Sequence, residues 1–224
     1  MKKILCAVAT AATLLAGSAN AMTVRSSLVG SDLTDPENNG WGEQDVNYNA
    51  IFRSSIEPGF GGRENAFNVF DNRVGSGNDK WCCDAGGWVE ADFASKRYHL
   101  TSFTASSAND ATERDSDRWQ ILGSNDGIHY TPIFTYDKDG VSPWGNRRYQ
   151  VNHYFAGVDY DLPASYSIFR YQIYSVVSGS SHQLGELEFF GVEPVASAVP
   201  EPGSVALLGL GMLAVFAAAR HKRA

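Results

Sequence analysis

The chain has 224 residues, a formal net charge of −7, 43% hydrophobic and 12% aromatic residues. That length suits one domain with extensions, and the composition supplies a core. The acid excess and the absence of a dense basic run outside residues 220–223 exclude a phosphate-backbone binder, so no nucleic-acid partner is expected.

Residues 1–21 read MKKILCAVATAATLLAGSANA. Lys2 and Lys3 form a positive start, Ile4 to Ala16 an apolar helix, and Ala19-Asn20-Ala21 a small-residue cleavage site. This order predicts a secretory signal peptide, with the mature chain beginning at Met22. Cys6 lies in its apolar stretch with no lipobox-like Leu-x-Gly before it. Residues 22–45 contain SDLTDPENNGWGEQD and predict an irregular lead-in.

From residue 46 to 192 the pattern is strand, turn, strand. Trp88 to Phe93 alternates, with Val89, Ala91 and Phe93 on one side. Asp117 to Leu122, then Gly-Ser-Asn-Asp-Gly, then Ile128 to Tyr136 predicts a hairpin. Ile168 to Val177 alternates again, with Phe169, Tyr171, Ile173 and Ser175 sharing a face. No sustained 3.6-residue period appears outside the two ends, and there is no internal repeat. An antiparallel β-sandwich follows.

Residues 193–198 predict a linker. Residues 199–224 read VPEPGSVALLGLGMLAVFAAARHKRA, and 203–219 form an apolar run too short for a comfortable bilayer span. The basic residues Arg220 to Arg223 are expected to stay cytoplasmic, which leaves the main body exported.

Chemical motifs are sparse. No Gly-x-Ser-x-Gly, His-Glu-x-x-His, Walker loop or Cys-x-x-Cys occurs. His99, His129, His153 and His182 are dispersed and predicted to be surface residues. Cys82 and Cys83 are adjacent, which disfavours an ordinary disulfide on Cα spacing. Two thiols are the expected state, with a vicinal or intermolecular bridge as the alternative. The carboxylate pairs Asp115/Asp117 and Glu186/Glu188 are read as structural rather than catalytic.

Two resemblances organise these features. Pro200-Glu201-Pro202, the apolar span and the Arg220–Arg223 cluster resemble a PEP-CTERM sorting signal. That resemblance implies a short C-terminal transmembrane helix, an exosortase-type membrane peptidase as partner, and transfer to the cell surface after transient anchoring. Four ordered blocks within residues 46–192 resemble the discoidin family, also called F5/8 type C or galactose-binding-like domains. They are Asn65 to Asn72 with Lys80-Trp81-Cys82, Gly87 to Phe93, Arg114 to Gly127, and Phe169-Arg170-Tyr171 with Gln183 to Gly191. The third, ending WQILGSNDG, is the most specific. The implied fold is all-β, a jelly-roll sandwich of about eight antiparallel strands.

The same resemblance places a structural calcium ion near the first block. Ca²⁺ takes six to eight oxygen ligands. Asp71, Asn78, Asp79 and the intervening backbone offer oxygens locally, and the family pattern adds Glu186 and the carbonyl of Asn68. The alternative is a solvated acidic loop with Asp71 capping a turn. Discoidin-like domains hold sugars or lipid head groups in end loops. Sugar recognition needs an aromatic platform and polar partners, for which Trp41, Tyr136, Trp144, Arg147, Arg148 and His153 are the candidates. Trp81, Trp88 and Trp119 are assigned to the core. The expected function is an exported binding module for extracellular polysaccharide. A structural matrix protein without a small ligand and a secreted carbohydrate-active enzyme are the alternatives.

Overall fold

Alternating apolar residues need two faces to pack against, and a computed structural model shows how they find them. It describes residues 28–39, 48–56, 64–75, 78–82, 84 and 86–195. The expected signal helix, Trp41, the membrane-spanning run and the sorting residues lie outside the described residues. All that is described up to Glu193 belongs to one unit.

Among the described residues ten strands form three antiparallel sheets. The largest contains β1 (Ile51–Ser54), β3 (Trp88–Asp92), β8 (Ile168–Val176), β5 (Ser116–Ser124) and β6 (Thr131–Asp137), in that spatial order. Facing it are β10 (Leu187–Val192), β4 (His99–Ser106) and β7 (Val151–Phe155). Two-residue strands β2 (Trp81–Cys82) and β9 (Gln183–Leu184) pair separately. The two main sheets thus contain the eight strands expected, and the short pair is the addition.

Period-2 patterning is what fills the space between them. Phe169, Tyr171 and Ile173 of β8, Val89 and Ala91 of β3, and Trp119 and Ile121 of β5 point inward and are buried. They meet Leu100, Phe103 and Phe189 from the facing sheet in one core. Trp119 sits at the centre of an aromatic cluster, stacked on Tyr171 at 4.8 Å and touching Phe134 at 5.1 Å. The β5–β6 hairpin forms as read, and Gly127 takes a φ of 69°, a conformation open to glycine.

Two inward or outward assignments differ from simple alternation. Glu90 faces the outer side of β3 yet is buried. Arg170 pairs with it at 2.7 Å, and the guanidinium is stacked between the rings of Trp88 and Tyr130, 3.7 and 3.8 Å from their centroids. Tyr130 Oη also donates to Glu90. Trp88 is therefore half-buried on the outer face instead of lying in the core.

The lead-in is not a free loop where it is described. Leu33 N–H donates to Phe189 O, and Phe189 N–H donates to the Asp32 carboxylate. Glu188, fully buried, accepts from Gly30 N–H at 2.6 Å and from Thr104 Oγ1 at 2.7 Å. Residues 29–35 are thus fastened along β10. Burial pushes the Asp32 carboxyl up to about 6, against the donors that hold it down.

Candidate cation cluster and binding loops

A 3-10 helix over Ala66–Phe70 follows β1 and delivers the chain to Asp71. Asn72 then turns back with φ 59°, a left-handed conformation asparagine tolerates. This turn points the Asn72 N–H at Glu186 Oε1, 3.3 Å away. Asp79 returns on the far side of the loop, and Gly75 lies so close that a Cβ there would strike its carboxylate. Asp71, Asp79 and Glu186 are all buried.

Three acidic groups gathered away from water repel one another. Burial and the Asp79 charge push the Asp71 carboxyl up to about 8. Burial, then the charge of Asp71, holds Glu186 well above the ordinary carboxylate range. Glu186 Oε2 is buried with no hydrogen-bond partner. A carboxylate left in this state is costly unless it is protonated or meets a cation. Hard oxygen donors of this kind suit Ca²⁺. Among the described residues no trio of acidic, histidine or cysteine side chains already stands in a metal-holding arrangement. The cluster is thus a donor set, not a finished coordination sphere.

The two asparagines also hold the loop together. Asn68 Nδ2 donates to the carbonyls of Asn78 and Lys80, at 2.8 and 3.1 Å, and Lys80 N–H also donates to Asn78 O. Asn78 O therefore already accepts two hydrogen bonds, and its side chain lies on an exposed turn. Asn68 and Asn78 brace the loop that presents Asp79.

The loop candidates are only partly brought together. Trp144, expected on an exposed platform, is 2% exposed. Its Nε1 donates to Ala105 O at 2.9 Å, and its backbone N–H caps onto Ser142 Oγ, which itself donates to the buried Asp115. The Gly- and Pro-rich loop is tucked inward because these polar partners satisfy it. Tyr136 is half-buried against Trp119, with its hydroxyl donating to Val141 O in the same loop. Arg147 and Arg148 are exposed on that loop, whereas His153 is exposed on the outer side of β7. Trp41 lies outside the described residues.

Three other expectations change. His182 is fully buried, edge-on to Trp81, with Nδ1 against Asp84 O. Burial pushes its imidazole down to about 4, so it is neutral at pH 7. Cys82 is disulfide-bonded rather than a thiol. Lys80, quoted in the first motif block without a role, is 1% exposed and reaches Asp110 at 2.8 Å beside the Gln183 amide. Its burial gave no signal, because lysine is ordinarily a surface residue. The carboxylates Asp115, Asp117 and Glu188 are each held by local donors.

Residues 198–223 match the PEP-CTERM protein-sorting motif. The chain carries a PEP-CTERM sorting signal. The signal occupies the expected tail and marks the protein for export. No curated protein matches the chain significantly. The sandwich is similar to CpGH89CBM32-5 from Clostridium perfringens, solved in complex with GalNAc-β-1,3-galactose. The TM-score is 0.50 at 15% identity, covering 64% of this chain and 96% of that one. It also aligns with the family 32 carbohydrate-binding module from Streptococcus pneumoniae EndoD, with a TM-score of 0.49, 12% identity, and coverage of 64% and 96%. The first likeness bears on the fold alone, and that fold is the all-β jelly-roll sandwich expected.

Proposed function

We propose that this protein is an exported, surface-sorted carbohydrate-binding module. The observation that carries the reading is the shared fold with one module, aligned over 96% of its length, that was solved on a galactose-containing disaccharide, joined in this chain to a PEP-CTERM signal. An exosortase-type membrane peptidase is the expected processing partner. The C-terminal segment is a transient membrane anchor, and the exposed body meets polysaccharide at the cell surface. The recognition loops lie at the end of the sandwich that includes Arg147 and Arg148. With Trp144 buried, stacking there falls to another ring, and the two guanidinium groups supply hydrogen bonds to sugar hydroxyls.

Asp71, Asp79 and Glu186 fit a structural Ca²⁺, since the ion would neutralise buried carboxylates and give Glu186 Oε2 a partner. Its chemistry would be charge neutralisation tying the first loop to the last strand. Glycan-array binding by the purified protein tests the main reading. Reproducible hits that weaken in an Arg147→Ala, Arg148→Ala double variant support it, and absence of any glycan hit overturns it. A ligand-free matrix role is the second reading, favoured by the burial of Trp144.

A further inference from the structure

The opposite flank of the sandwich holds a cleft of about 390 Å³ between β6 and residues 159–166. β6 ends the five-stranded sheet on the side away from β1, and β7 ends the other sheet away from β10. The carboxylate cluster belongs to the other flank, through Glu186 and the 3-10 helix that packs on β1 and β10. The cleft is therefore remote from it.

Its floor is rigid. Tyr160 is buried, and its hydroxyl donates to Leu100 O. Tyr166 exchanges backbone hydrogen bonds with Tyr98 at 2.9 and 3.0 Å, and its ring fills the notch over Gly123, where a Cβ would collide. Among the described residues no backbone hydrogen bond joins β6 to residues 159–166, so the two walls stay unzipped. The rim combines exposed Pro132 and Leu162 with the carboxylates of Asp159 and Asp161. One Asp159 oxygen is committed to Phe155 N–H at 2.7 Å. The lining contains no lysine, arginine or histidine.

An ionised carboxylate is acceptor-only, and this rim has two with no cationic side chain among the described residues that line it. The volume lies at the low end of small-ligand sites. We propose that this cleft is a second saccharide subsite that takes an amine-bearing sugar, with its ammonium on Asp161 and Asp159 and its apolar ring face on Leu162 and Pro132. The site is separate from the recognition loops, so it can fail without them and they without it.

The test uses the full chain in mild detergent and follows backbone amide shifts by NMR. The probes are a glucosamine tetramer with free amines, its N-acetylated counterpart, and a galacturonate tetramer. The free-amine tetramer is expected to move the amides of residues 131–135 and 159–164, to bind at least about ten-fold more tightly than the acetylated one, and to lose about ten-fold in Asp161→Asn. Glu113→Gln, on an exposed turn elsewhere, is expected to change nothing. No shift at those amides overturns the proposal. Equal or tighter binding of the acetylated or anionic tetramer, or undiminished affinity in Asp161→Asn, also overturns it.

Discussion

Replacing Trp144 separates a loop that merely carries an aromatic ring from one that belongs to the core. The indole is almost wholly enclosed and its Nε1–H reaches Ala105 O, one residue before the end of β4. Truncating a buried Trp to Ala typically costs about 3–5 kcal/mol. The Ala105 carbonyl then loses its side-chain donor, which adds roughly 1–3 kcal/mol where water does not replace it. Domains commonly have only about 5–15 kcal/mol of stability, so Trp144→Ala is expected to lose most of its margin. Trp144→Phe retains most of the ring and removes the donor, isolating the roughly 1–3 kcal/mol polar part. In a domain of this size each kcal/mol moves Tm by about 2–4 °C, so the Phe variant should melt roughly 2–12 °C below the parent. Paired urea and thermal melts followed by far-UV circular dichroism measure both. A Trp144→Ala protein within about 0.5 kcal/mol of the parent, the range of exposed positions, would refute the core assignment.

The carboxylate cluster gives a pH-dependent expectation. Asp71 rises from 3.8 to about 8 on folding without a cation, so its favourable contribution is complete below pH 4 and is lost as pH rises through about 8. Ca²⁺ should restore stability at pH 8 by about 2.7 kcal/mol at a hundred-fold excess over Kd, and identical melting curves in Ca²⁺ and EDTA would remove the ion. Glu186→Gln removes a buried carboxyl whose ionisation burial and Asp71 disfavour, so in EDTA its Tm should stay above the parent's as pH rises, while it no longer responds to Ca²⁺. A lower Tm in EDTA would show that the charges do not repel as described. Changing Pro200, Glu201 and Pro202 to Ala should block tail processing, read by mass spectrometry of the surface protein; a parent product still ending at Ala224 counts against processing.

The sandwich was legible because burial on one face forces alternation. Phe169, Tyr171 and Ile173 announced β8, and Asn125-Asp126-Gly127 announced the hairpin turn. Asp71 and Asp79 were legible as local oxygen donors, but Glu186 only through the motif blocks, since more than a hundred residues separate it from Asp71. Trp144 was not legible, because glycine, proline and asparagine report local turn propensity and say nothing about whether a turn folds inward. His182 was misplaced for the same reason: its neighbours are turn formers, while Trp81 and Asp84 enclose it from across the fold. Residues 29–35 read as loop because their strand-like partner is β10, far along the chain. Glu90 shows the converse, a charge on an outward position buried by Arg170 and two rings.

The fastening of residues 29–35 onto β10 also sets a schedule. Gly30 and Glu188 are 158 positions apart, and Asp32 and Phe189 are 157. When an exported chain crosses a membrane from its N-terminal end, residues 29–35 arrive outside long before the strand that secures them. Contacts of such long range also form slowly. The body can therefore pass through a narrow channel as an open thread, and its last seam closes only once residue 189 has emerged. The sorting motif at residues 198–223 follows closely behind, so the seam closes just before that address emerges.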